Sequence, residues 1–144
     1  EALGGAVLKG GLAGLVEQML RAVRGGFDLA YVNGVFHHIE PDKRHGAAKL
    51  VFEALKPNGR FGFFENNPWN PGTRLVMARI PFDRDAIPIA PPDARTLLYA
   101  AGFRLEPTRF LFYFPRPLAF LRFLEPGLAG VPLGAQYHIQ AVKE

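Results

Sequence analysis

Apolar residues at Leu12, Leu15, Val16, Met19, Leu20 and Val23 fall on one face of a 3.6-residue period, which predicts an amphipathic helix stopped by Gly25-Gly26. The pattern then changes. Phe27-Asp28-Leu29-Ala30-Tyr31-Val32 is a short apolar run that reads as a buried strand, and it ends at the polar pair Asn33-Gly34. His37-His38 follow, and Pro41 suits the first turn of a second helix whose core face is Ala47, Leu50, Val51, Ala54 and Leu55. Pro57-Asn58-Gly59 closes that helix, Phe61 to Phe64 is the next strand, and Glu65-Asn66 form its polar tip. Strand, helix and strand with short connections predict a βαβ unit of a parallel sheet with a right-handed crossover. Ligands of open α/β sheets bind at the carboxyl ends of parallel strands, so Asn33, Gly34, Glu65 and Asn66 become candidate site residues.

The rest of the chain is less regular. Asn66 to Pro92 is rich in Pro and Arg, with a short helix expected near Thr73 to Arg79; a connection of this length usually carries function. Pro92 to Ala101 predicts a helix stopped by Gly102, Arg104 to Tyr113 a strand, and Gln136 to Val142 a final alternating strand. Between the last two, the aromatic segment around Phe110 to Phe123 is dotted with Arg109, Arg116 and Arg122. It reads either as a strand and helix packed on the core, the favoured reading, or as a surface for peripheral membrane contact.

Composition narrows the classes. With 49% hydrophobic residues in 144, the chain has material for one packed domain and is not a disordered polar tract. It has no Cys, which excludes disulfides and thiolate chemistry and fits a cytoplasmic setting. A net charge of +4 is too sparse and unpatterned for a nucleic-acid binder, so no nucleic-acid partner is expected. No stretch reaches the roughly 18 apolar residues of a membrane span. The first residue is Glu, and a longer reading frame is expected.

Imidazole titrates near neutrality, so His37 and His38 are candidate bases or orienting groups; the plainer reading is a polar pair capping the sheet. No metal is expected there, because adjacent residues of an extended segment point to opposite sides. Asp83-Arg84-Asp85 reads as a surface ion-pair cluster.

Four pieces in order carry a family resemblance: Phe27 to Val32, Val35-Phe36-His37-His38-Ile39, Leu55-Lys56-Pro57-Asn58-Gly59-Arg60-Phe61, and Leu97-Leu98-Tyr99-Ala100-Ala101-Gly102-Phe103. Together they resemble the small-molecule type of class I S-adenosylmethionine-dependent methyltransferases. The resemblance covers roughly residues 27–144. It implies a truncated Rossmann-like α/β sheet, with parallel strands, a final antiparallel strand and helices on both faces. The strands from Phe27 and Phe61 would be the family's fourth and fifth.

By that correspondence Asn33 and Gly34 would lie beside the methionine part of the cofactor, S-adenosylmethionine. His37 and His38 would stand at the mouth of the site as catalytic candidates, and Glu65, Asn66 and Trp69 on the substrate side. The acceptor would be a small molecule, with a lipid-like one favoured by the aromatic C-terminal third. Residues 1–26 depart from the family as a divergent N-terminal segment, and 27–144 correspond to the C-terminal half of the domain. The nearest candidate for the family's Gly-rich cofactor loop, Val7 to Gly14, lacks its acidic residue and carries Lys9 instead. A non-catalytic remnant serving as a binding or dimerisation module is therefore the second expectation. The strand from Phe27 would then present an apolar edge that invites pairing with another chain, so self-association as a homo-oligomer, or poor solubility, is expected.

Overall fold

The computed structural model describes residues 24–83 and 85–144. The helix expected over Leu12 to Val23 and the Val7 to Gly14 loop lie outside the described residues. The two strands on which the family reading depends are β1 (Phe27–Asn33) and β2 (Leu55–Asn66). They run parallel and adjacent, with Ala30 opposite Phe61, Val32 opposite Phe63 and Asn33 opposite Phe64. The helix that connects them, α1 (Arg44–Ala54), buries Ala48, Val51 and Ala54.

Strand β5 (Gln136–Lys143) runs antiparallel to β2 on its other side, pairing Phe61 with Ala141, Phe63 with Ile139 and Glu65 with Tyr137. Two short strands, β3 (Phe103–Leu105) and β4 (Arg109–Leu111), both pair antiparallel with β5. The order is β1-β2-β5-β3, with β4 on β5 beside β3. Around the sheet lie α2 (Pro71–Arg79), α3 (Pro91–Ala100) and α4 (Glu125–Leu128).

The core follows from strand alternation. Phe61 and Phe63 of β2, and Tyr137, Ile139 and Ala141 of β5, point to one face, where Ala48 and Val51 of α1 and Ala94 and Leu98 of α3 join them. Phe36 lies edge-on to Phe63 at 5.0 Å and completes the cluster beneath the carboxyl ends of β1 and β2.

The structure corrects several local expectations. Strand β1 is not buried: Leu29 is 64% and Tyr31 61% exposed, while only Ala30 and Val32 reach the core. The cause is position, since among the described residues β1 is the outermost strand of the sheet. Pro41 lies in a turn ahead of α1 rather than in its first helical turn. Pro57-Asn58-Gly59 does not close α1, which already ends at Ala54; the tripeptide forms an irregularity inside β2, with Asn58 at φ 64°, where the register against β1 shifts.

The single strand expected over Arg104 to Tyr113 is two, because Pro107 has no N–H to give the ladder and Phe112 turns to φ 61°. The favoured core reading of the aromatic segment holds for its strand part, where Phe110 is buried in the core and Tyr113 packs against it, and fails for the rest. Arg116–Leu124 is an irregular 3-10 stretch with no buried residue, and Phe120 and Phe123 are exposed. The stretch is kinked at Leu118, whose backbone (φ -107°, ψ 22°) leaves the helical region.

Candidate functional site

The carboxyl ends of β1 and β2 and the start of β5 meet at one rim. Gln136 Nε2 donates to Asn33 Oδ1 at 3.2 Å and lies 3.3 Å from Asn66 Oδ1, so one amide ties both strand tips together. The three side chains line an open cleft of about 760 Å³. Its apolar wall is Val76, Met77 and Ile80, from α2 and the residue after it; the Phe112 to Pro115 segment and Asp83 also line it. Two of the residues expected at the site from sequence, Asn33 and Asn66, are thus brought together. Gly34 closes the tip of β1 by donating its N–H to Phe64 O at 3.0 Å. It does so at φ 65°, a conformation that suits glycine, and an added Cβ would press on the His37 ring at 3.3 Å.

The rim is held from the other side of the chain as well. Asn67 is buried and spends all its polar atoms locally: Nδ2 donates to Pro132 O and Gly134 O, and Oδ1 accepts from Trp69 N. Asn70 caps α2 by accepting from Thr73 N at 2.9 Å, and its Nδ2 donates to Leu133 O. Thr73 Oγ1 donates to Ala135 O. Gly134 packs so close to Leu111 that a Cβ would fall 2.5 Å from its carbonyl oxygen, so only glycine fits there. These contacts fix the approach of the chain to Gln136.

Glu65 was expected to face substrate, and it does not. It is 0% exposed and is not among the residues lining this cleft. Strand parity explains the result, since Glu65 follows Phe61 and Phe63 on the inward face. Its Oε1 accepts from Phe36 N at 2.6 Å and its Oε2 bonds His37 Nδ1 at 2.5 Å. Trp69 stacks on Phe110 at 6.4 Å and is not among the residues lining the cleft.

His37 and His38 do not diverge as an extended segment would require. Phe36–His38 is a 3-10 turn, and the two rings lie 4.2 Å apart. Both face Asp83, whose Oδ1 is 3.6 Å from His37 Nε2 and 3.3 Å from His38 Nε2. Asp83 is therefore not merely part of a surface ion-pair cluster. The loop that carries it is clamped to the turn, with Ile87 N donating to His37 O at 2.8 Å and the buried Arg44 donating to both Ile39 O and Ile87 O. Asp83, Arg44 and Gln136 are the site residues that sequence reading missed; for Gln136 the signal was its place at the start of a strand antiparallel to the rim.

Two imidazoles are shifted in opposite senses. Burial lowers the His37 pKa, but the hydrogen bond and charge of Glu65, with the charge of Asp83, outweigh it and hold it above the usual 6.5. His138 stacks on Phe64 at 4.1 Å, and its pKa is lowered by burial and then by Arg109, its cross-strand neighbour. A lowered folded-state value means the unfolded chain takes up the proton first as pH falls. The His138 contribution is therefore present above about pH 6.5 and lost as pH drops through the folded value. We expect His138→Gln to lose less melting temperature than the wild type between neutral and mildly acidic pH. Parallel scans by circular dichroism check this, with His37 common to both chains.

No protein-family model matches the chain, and no curated protein matches it. Solved structures do. The chain is similar to an S-adenosylmethionine-dependent methyltransferase from Archaeoglobus fulgidus, at TM-score 0.68 and 16% identity over 89% of this chain and 65% of that one. It is also similar to one from Thermotoga maritima (TM-score 0.63, 16% identity, 84% and 58%) and one from Mesorhizobium loti (TM-score 0.55, 19% identity, 83% and 63%). The chain has the fold of the class I S-adenosylmethionine-dependent methyltransferases, in the part that the β1-β2-β5-β3 order represents. It spans about three-fifths of the length of these structures.

Proposed function

We propose that the chain forms part of an enzyme that moves a methyl group from S-adenosylmethionine to an apolar small molecule. The observation that carries this reading is the amide-lined rim of Asn33, Asn66 and Gln136 at the carboxyl ends of two parallel strands, in a sheet of methyltransferase order. The cleft fits such a cofactor in kind. Its volume is within the range of small-molecule sites, and the amides of Asn33, Asn66 and Gln136 at its rim suit an amino-acid moiety, with Thr73, Asp83, Tyr113 and Arg122 adding further polar groups.

Asn33 and Gly34 would hold the methionine end. When bound, S-adenosylmethionine supplies a methyl group already activated on a sulfonium, so the protein's share is alignment and exclusion of water. Val76, Met77 and Ile80 give the acceptor an apolar wall. Asp83, backed by His37 and His38, places a polar cluster at the cleft wall where an acceptor's hydroxyl or amine is oriented. The exposed Phe120 and Phe123, with Arg116 and Arg122 on the same stretch, favour a lipid-like acceptor and peripheral contact with a membrane surface. No helix among the described residues is long and apolar enough to cross a membrane.

Calorimetric titration with S-adenosylmethionine tests the reading. Micromolar affinity is expected, weakened about tenfold by Asn33→Leu, which removes one hydrogen-bonding group from the rim. Millimolar or absent binding overturns cofactor binding by this chain on its own and returns the non-catalytic reading for it.

A further inference from the structure

We propose that His37, His38 and Asp83 form a binding site for a divalent transition-metal ion of the zinc class. This goes beyond the methyl-transfer reading and does not depend on it. Each residue offers one donor atom, and the three donors lie within 4.8 Å of one another. The Asp83 Oδ1 distances, 3.6 Å to His37 Nε2 and 3.3 Å to His38 Nε2, are close to the donor spacing of a coordinated ion. Ligand bonds of about 2.0–2.1 Å in a tetrahedron put donors roughly 3.3 Å apart. Two of the three donor pairs therefore stand near coordination spacing, and the third pair needs only to close.

The support around the donors has the form of a metal site. His37 Nδ1 is bonded to the buried Glu65 carboxylate at 2.5 Å. A carboxylate on one ring nitrogen keeps the proton there and turns the other nitrogen's lone pair outward, the arrangement that orients metal-binding imidazoles. Glu65 is itself fixed by Phe36 N–H, and Ile87 N–H holds the His37 carbonyl, so turn and loop are registered before any ion arrives. The 3-10 geometry is what brings two consecutive imidazoles to one side. The Phe82 ring packs 4.4 Å from His38 and walls the site.

The site is open at one side: the His38 side chain is 26% and that of Asp83 13% exposed, and Asp83 also lines the cleft. Two nitrogens and one carboxylate favour zinc-class ions over calcium or magnesium, which take oxygen ligands. An open position next to the cleft would let the ion hold water or an oxygen or nitrogen of a bound molecule.

The competing account is a metal-free network in which both imidazoles donate to Asp83. The two are separated with the purified chain after treatment with a chelator. Zn²⁺ is titrated against a chromogenic competitor, Co²⁺ is added to read its ligand-field absorption, and melting is recorded with and without Zn²⁺. The site predicts one ion per chain at micromolar affinity or tighter, a tetrahedral-type Co²⁺ spectrum, and a Zn²⁺-dependent rise in melting temperature. Asp83→Asn and His38→Gln, both at partly exposed positions, should each weaken binding at least about tenfold. His45→Gln, an exposed imidazole elsewhere, should change nothing. Glu65→Gln removes no donor, yet it should cost about 10–100-fold, because its amide turns the His37 proton onto Nε2. Absence of stoichiometric binding overturns the proposal. So does binding that Asp83→Asn and His38→Gln leave unchanged.

Discussion

Glu65→Ala lowers the free energy of unfolding by about 3–5 kcal/mol, the cost of breaking one side of a buried charged pair. Two buried partners lose their acceptor at once: Phe36 N–H, at 2.6 Å from Oε1, and His37 Nδ1, at 2.5 Å from Oε2. No water replaces them without opening the core, because Glu65 is fully buried. Glu65→Gln keeps one acceptor for Phe36 and offers a donor to the imidazole, so it should cost roughly 1–2 kcal/mol. Urea unfolding of the three chains checks both the size and the order. An alanine variant as stable as the wild type would mean that the carboxylate is not the brace of this turn.

Phe63→Ala should cost about 3–5 kcal/mol, the range for emptying an aromatic site in a packed core. Phe63 is fully buried between the edge of Phe36 at 5.0 Å, Phe61 at 6.0 Å and Tyr137 at 6.3 Å. The loss is a large part of a typical domain's total stability, so the variant should melt broadly or fail to accumulate. Phe63→Leu fills most of the space and should cost about 1–2 kcal/mol. Phe36 rests on this ring and begins the turn that carries His37 and His38. The leucine variant should therefore also blur the histidine ring resonances by NMR, an effect expected of no equally mild change on the far face of α3.

Much of the central unit was legible because its pattern is local. The run Phe27 to Val32, the stop at Asn33-Gly34 and the alternation Phe61, Phe63, Glu65 specify two strands and their tips, and the structure pairs them in parallel. The same alternation held the answer for Glu65. Its parity places it inward with the phenylalanines, although a carboxylate at a strand end has the chemistry of a ligand-facing group. Pro107 likewise marks the break between β3 and β4 in the sequence itself.

Other features were not legible. The facing of His37 and His38 depends on a 3-10 turn that their own residues do not dictate. Their partner Asp83 reaches them through a loop whose course is set by Arg44 and Ile87, residues distant in sequence and without periodic signature. The exposure of Leu29 and Tyr31 depends on what lies beside β1, which strand propensity cannot report.

The placement of β5 between β2 and the β3/β4 edge has a consequence for biosynthesis. On the ribosome, β2 emerges with a complete set of backbone donors and acceptors along the side that Gln136 to Lys143 will occupy. Roughly 70 residues must be added before that partner exists, about 4–14 s at ordinary elongation rates. Through that interval the nascent chain carries an aromatic, glycine-containing ribbon unpaired along that edge, the kind of segment that chaperones cover and neighbouring polysomes can mispair.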